Sequence, residues 1–530
     1  MRRSVFWQSL NPNTPASGSL AGGWWPTALS FFAFFGGLLL LNWPTLDDPP
    51  TWDGAMGVHP AAITLSRSDF DLAGLLHERA YMQGGPNTHS LSLVTWCTAL
   101  AYRSLAGSRW LLPVMHVCHF ALAAVALAAV YRFARPALGG QLAIGLSLLV
   151  LCNPIVLAQT GCLYVEVPLL ASTMVALIAW SDNRPWRAAF FTLLTFYIKE
   201  TGLILAGALT AAAVLEAGPL PRRLTRAAGV FLPAVTAFFV NKAIYHPPGA
   251  APYVPLPYRE YVRYNIIQRL TPVPDLCVLI GLFLLVTVVR GPALWRAWRQ
   301  PNSGATGAED RVLPASPVAI SHLMVLSFIG FFLVANYAGE VYLLPRYFVQ
   351  IMPCLALGVI DAARRVAQQR VVLAGIILCS AAFLVNRYGT FYAPVTTNDG
   401  SAAERSLEYR DLLEVQRQAM ATLADCAKQS PVFYGYPEHF LLNYPEMGFT
   451  DRRPDNGYCV LFDPPYNQAR LADYPSLFYI VLDYPALGGQ RLFALYSQAK
   501  RYGCTLRTAG DFRKGHYHVL VLKIAAPGIN

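Results

Sequence analysis

The sequence predicts a polytopic α-helical membrane protein of about eleven transmembrane helices, followed by a small extracytoplasmic α/β domain. Three observations predict the membrane class. Of 530 residues, 55% are hydrophobic and 13% charged, with a mean hydropathy of +0.38. A soluble globular chain carries about twice that charged share. Apolar stretches of about sixteen to twenty-four residues recur, the length that crosses a bilayer core. Arginines gather in alternate loops, the positive-inside pattern. The net charge of +11 therefore reads as membrane orientation, and no nucleic-acid partner is expected.

The predicted spans are residues 24–43, 109–131, 140–159, 166–181, 186–199, 201–217, 227–244, 275–290, 318–338, 346–362 and 371–388. Arg2 and Arg3 precede the first, and Arg132 and Arg135 follow the second. Arg184 and Arg187, then Arg222, Arg223 and Arg226, fill later alternate loops. Arg290, Arg296, Arg299 and Arg311 follow the eighth span, and Arg364, Arg365 and Arg370 precede the last. These loops are expected to be cytoplasmic, as is the N-terminus. No small-residue cleavage site follows the first span, so it reads as uncleaved. The expected location is the cell (inner) membrane, with the tail outside the cytoplasm.

The first outer segment, about 44–108, is long. Gly57–Leu65, Phe70–Met82 and His89–Leu105 read as helices on or in the outer interface. A second outer loop, His246–Asp275, is rich in proline and tyrosine. The first domain is drawn as 1–389 and the second as 390–530. In the tail, Ser401–Lys428 reads as a charged helix and Gln490–Tyr502 as an amphipathic one. Val432–Tyr436, Cys459–Phe462, Leu477–Leu482 and His518–Ile524 read as strands. The ten cysteines form no C-x-x-C and no metal framework.

Charges beside or within apolar runs are costly unless paired or used, so they are the candidate site. On the outer side these are Asp47, Asp48 and Asp53 after the first span, and Glu166 at the start of the fourth. Lys199 and Glu200 interrupt a nearly continuous apolar stretch. Arg346 and Tyr347 stand at the outer mouth of a late span, where an arginine runs against the charge bias. His59 and His89 are candidate substrate contacts, with Arg259, Arg263 and Arg269 in the tyrosine-rich loop. Each has a plainer reading: Asp53 as a helix cap, Glu166 as a dipole partner, Lys199 as a snorkelling side chain, Arg346 as a partner of Glu340.

Five features resemble the GT-C superfamily of membrane glycosyltransferases, nearest the protein O-mannosyltransferase and lipid A aminoarabinose transferase branch. Trp52-Asp53-Gly54 resembles the acidic motif after the first span. Gly84-Gly85-Pro86-Asn87-Thr88-His89-Ser90, then Leu105-Ala106-Gly107, resembles a proline-led segment. Tyr164-Val165-Glu166-Val167-Pro168 and Ile198-Lys199-Glu200-Thr201-Gly202 resemble the second-loop acidic and later lysine motifs. Pro345-Arg346-Tyr347 through Pro353 resembles a late-span sequence. The likeness covers most of residues 20–390. One departure is that Asp53 is followed by Gly54 where the family often has Asp-Glu.

The resemblance implies transfer of a sugar from a polyprenyl-phosphate carrier to a glycan, lipid or protein acceptor on the outer side, with inversion. Asp53, or the Asp47–Asp48 pair, would take the acceptor proton. Lys199 and Arg346 would hold the donor phosphate. Glu166 would orient the acceptor or share a divalent cation with Asp53. No other cofactor is implied. The competing class is a lipid or solute transporter or flippase, which more often shows two related halves and helices broken at mid-membrane.

Overall fold

The computed structural model describes residues 25–51, 53–72, 92–216, 219–245, 257–299, 316–335, 343–392 and 404–426. The rest of the tail is described in shorter pieces, including 432–434, 438–451, 457–459, 476–483 and 503–525.

Each predicted apolar run carries helix. Helix α1 (Trp25–Asn42) is followed by a π-turn (Gly54–Val58), α2 (His59–Arg67) and α3 (Leu93–Leu105). Next come α4 (Leu111–Leu138), α5 (Gly140–Cys152), α6 (Pro154–Gly161) and α7 (Glu166–Ser181). Then follow α8 (Pro185–Ile198), α9 (Gly202–Leu215), α10 (Leu220–Tyr245), α11 (Tyr258–Val262) and α12 (Pro274–Arg299). Helices α13 (Pro317–Ala335), α14 (Met352–Val366) and α15 (Gln369–Val385) close the bundle. The helices pack mainly as neighbours in sequence, with α4 central against α1, α5 and α7.

Length separates these helices. Among the described residues, five are long and apolar enough to cross a membrane: α1, α4, α10, α12 and α13. A sixth span arises if α5 and α6 count as one, bent by 66°. The bend has a local cause. Pro154 has no N–H to continue the ladder, and the Asn153 side chain accepts from the Ile155 N–H at 3.0 Å to start a new helix. Helices such as α8, of 14 residues, rise about 21 Å, less than the roughly 30 Å of a hydrocarbon core. The predicted run 140–159 is thus two helices rather than one.

The outer segment also differs from expectation. Residues 59–63, 65 and 66 of α2 are buried in protein, against α3. An element expected at the membrane interface is instead part of the core. Phe70–Met82 lies mostly outside the described residues.

In the tail, α16 (Tyr409–Cys426) buries Leu412, Leu413, Val415, Ala419, Met420 and Leu423. It packs on strands β4 (Thr505–Lys514) and β5 (Tyr517–Ala525). With β1 (Val432–Tyr434), β2 (Gly457–Cys459) and β3 (Ser476–Asp483), they form a five-stranded sheet of order β2-β1-β3-β5-β4. The β1 pairs are parallel, and the β5 pairs antiparallel, with Tyr479 opposite Leu522 and Leu506 opposite Ile524. Strand β4 was not predicted. It is one edge of the sheet, largely exposed and charged at Arg507, Asp511, Arg513 and Lys514, so it carries no apolar alternation.

Candidate active site

The polypeptide has to break its helices to build the site. After α8, Lys199 is extended (φ −157°, ψ 142°), and the chain reverses within three residues. Gly202 permits this, because a Cβ there would collide with the Thr195–Phe196 backbone. Between α6 and α7, Leu163 takes φ +49°, a strained value for a non-glycine residue. The His59 Nε2–H donates to the Leu163 carbonyl at 3.1 Å, and Nδ1 accepts from the Tyr102 hydroxyl at 2.8 Å. Burial lowers the His59 pKa to about 4, keeping the ring neutral in this bracing role. Asp53 opens the π-turn, a helical form that often marks functional positions. Arg346 lies on a 3₁₀ turn, Pro345–Gln350, before α14.

These breaks converge on one cluster. The Arg346 side chain, 1% exposed, pairs through Nη2 with Asp53 and through Nη1 with Glu404. Its Nε lies 3.4 Å from Glu166 Oε1. That same oxygen accepts from Lys199 Nζ at 2.5 Å. Thr51 Oγ1 donates to Glu404 at 2.7 Å. Lys199 sits 4.0 Å over the Tyr347 ring, and Arg346 is 5.3 Å over the Tyr164 ring. Three carboxylates therefore face two cations, leaving one negative charge in excess within a largely buried site. Asp53 is the most open of the three, at 27% exposure. Burial raises the Glu404 pKa from a glutamate's usual 4.5 to about 7, against the pull of Arg346 and with a further push from Asp53.

Asp53, Glu166, Lys199, Arg346 and Tyr347 thus come together. Other candidates do not. Asp47 is exposed, and Asp48 faces Arg410 at 3.9 Å. The Asp48 main-chain carbonyl accepts from His116 Nε2 at 3.0 Å. Burial raises the Asp48 carboxyl pKa despite Arg410. Glu200 is half-buried beside the chain reversal. Arg259 and Arg263 are exposed on and just after α11. His89, Trp52, Glu340 and the Gly84–Ser90 motif lie outside the described residues.

Glu404 went unread. It stands in Ala403-Glu404-Arg405-Ser406, at the head of a charged stretch that resembles a solvated helix. Its sequence signal was weak, a glutamate among other charges some distance past the last apolar run, 371–388. The segment is firmly seated: Gln159 Nε2 donates to the Glu404 carbonyl at 3.0 Å. Arg410 reaches Asn42 at 2.9 Å and Thr45 at 3.2 Å.

Beside the cluster lies an apolar cavity of about 470 Å³ between α3, α4, α7 and α8. Its wall includes Cys97, Val175, Leu194 and Ile198, and it reaches His59 and Tyr164. The volume is that of a small-molecule pocket. A divalent cation shared by Asp53 and Glu166 does not fit this arrangement, because both carboxylates pair with Arg346 and Glu166 also with Lys199. Among the described residues no group of three or more His, Cys, Asp or Glu side chains could hold a metal.

The helices and this cluster define a polytopic helical membrane protein with a charged site set beside an apolar cavity. No protein-family model matches the chain, and no curated protein matches it. Among solved structures, it is similar to the crystal structure of ArnT from Cupriavidus metallidurans bound to undecaprenyl phosphate. The identity is 12%, the match covers 94% of this chain and 98% of that chain, and the TM-score is 0.47.

Proposed function

We propose that the protein is a membrane glycosyltransferase that moves a sugar from a polyprenyl-phosphate donor to an acceptor on the extracytoplasmic face. The observation that carries this reading is the shared wall. Tyr164 lines the apolar cavity and also stacks under Arg346, so one ligand with a prenyl chain and a phosphate would fill both. The resemblance of Asp53, Glu166, Lys199 and Arg346 to the GT-C motifs points the same way.

Each residue has a chemical task in this scheme. Asp53, the most open carboxylate of the cluster, removes the acceptor hydroxyl proton. The oxygen attacks the anomeric carbon, and the bond to the phosphate oxygen breaks on the opposite face, which inverts that carbon. Lys199 and Arg346 stabilise the phosphate as it leaves. Glu166 holds Lys199 at 2.5 Å and thereby aims it. Eleven spans, a cytoplasmic N-terminus, and a domain boundary near residue 389 with the tail outside complete the scheme.

The test is binding and turnover in nanodiscs. Native mass spectrometry should detect bound polyprenyl phosphate on the wild type and on Asp53→Asn, while Asp53→Asn loses sugar transfer. Transbilayer movement of the lipid without transfer would make the protein a flippase instead.

A further inference from the structure

Resting on that reading, we propose that Glu404 is a gatekeeping residue of the site: its carboxylate holds the edge of Arg346 that a donor phosphate needs, and donor binding displaces it. A guanidinium offers five N–H donors in a fixed fork and prefers two parallel bonds to phosphate. Here Nη1 is engaged by Glu404, Nη2 by Asp53, and Nε faces Glu166. Two of the five N–H donors are bonded, one to Glu404 and one to Asp53, so a phosphate that grips the Nη1 side of Arg346 competes directly with Glu404.

Glu404 is the one placed to yield. Glu166 is anchored by Lys199 and sits in the first turn of α7, where the helix dipole favours its charge. Asp53 has the task of base. Among the described residues, Glu404 has Arg346 and the Thr51 hydroxyl as its side-chain partners and no second cation in an ion pair. It comes from the segment leading into α16, outside the helices that carry the other site residues. Its main chain is pinned by Gln159, so displacement is a side-chain rotation rather than a domain movement.

Charge balance favours the same residue. The site already has one excess negative charge, and a phosphodiester brings another. The groups facing Glu404 are Arg346 from the 3₁₀ turn, Asp53 from the π-turn and the Cys162 thiol after α6, with Glu166 and Lys199 beyond Arg346. Burial brings the neutral acid of Glu404 within reach near neutral pH, so a proton can offset the incoming charge as the carboxylate leaves Arg346. The residue thereby ties the tail to donor entry, since α16 also pairs with β4 through Asp411 and Lys514 at 3.5 Å.

The probe is a polyprenyl phosphate methyl diester, whose single charge is constant from pH 6 to 8. Its affinity is measured in nanodiscs for the wild type, Glu404→Gln and Glu404→Asp. Wild-type affinity should fall as pH rises. Glu404→Gln should bind about tenfold tighter at pH 8 and lose most of the pH dependence. Glu404→Asp, a shorter carboxylate, should shift the same way by less, and it decides the matter if Glu404→Gln does not fold. Equal or weaker binding by the folded variants overturns the gate and leaves the glycosyltransferase reading standing. Failure of the wild type to bind the diester at any pH overturns both.

Discussion

Arg346→Lys isolates geometry from charge. The substitution retains one positive charge but replaces a planar fork by a single ammonium on a flexible stem. In the structure three edges of the guanidinium face three carboxylates: Asp53, Glu404 and Glu166. A lysine could reach one of them well. Two largely buried carboxylates would then lose a charged hydrogen bond or close ion contact, each worth about 1.5–3 kcal/mol. Partial recovery by protonation of Glu404, whose pKa already lies near 7, reduces the total. A loss of roughly 3 kcal/mol is expected, and breaking a buried pair outright costs about 3–5 kcal/mol. The assay is equilibrium unfolding in mixed micelles, with Arg364→Lys as the control in the separate Asp361 cluster. Adding Glu404→Gln to Arg346→Lys should restore part of the loss, since it removes one unpaired carboxylate. Stability within about 0.5 kcal/mol of wild type, the usual range for a surface change, would refute the reasoning that Arg346 organises the cluster.

Other outcomes follow from the same geometry. Asp53→Asn should cut turnover about a hundredfold or more while retaining donor binding, whereas Asp47→Asn, on an exposed residue, should do less; initial rates and native mass spectrometry check both. Lys199→Ala should weaken donor binding by roughly 2–3 kcal/mol, the scale of a charged hydrogen bond, and Arg364→Ala should leave it unchanged in the same titration. Val175→Trp fills the apolar cavity, and should raise KM at least tenfold for a long-chain donor, since each buried CH₂ excluded costs about 0.8 kcal/mol, and less for a short-chain one. The raised pKa of Glu404 means that the folded protein holds its proton more tightly than the unfolded chain. Its contribution to stability is therefore full below pH 4.5 and is lost as pH rises towards about 7. Unfolding of wild type and Glu404→Gln compared at pH 5 and pH 8 should show that difference shrink in the variant.

Much of this site was legible because a charge inside an apolar run is conspicuous. Lys199, Glu166 and Arg346 each interrupt sequence that otherwise favours lipid, and the structure pairs all three. Asp53 was recognisable by its place after the first long helix. Glu404 was not, because charges are ordinary in a polar tail and its burial comes from tertiary docking against Thr51 and Arg346, far away in sequence. His59 illustrates the converse. A histidine near an acidic motif suggested substrate contact, but both ring nitrogens serve the protein's own scaffold. In the bundle, helix positions followed from apolar runs, including the break between the runs 186–199 and 201–217, while the split of the run 140–159 at Pro154 did not, because it is set by local backbone geometry. Strand β4 escaped for the opposite reason, since an exposed edge has no inward face to pattern.

The most direct measurement of the central claim is mass spectrometry of cell-envelope glycans and polyprenyl-phosphate sugars from cells with and without the protein. A glycosyltransferase of this kind leaves one lipid-linked sugar accumulated and one glycosylated product missing when it is absent. Wild type should restore both, and Asp53→Asn neither. An unchanged set of glycosylated products, with every lipid-linked sugar at its normal level, would contradict it.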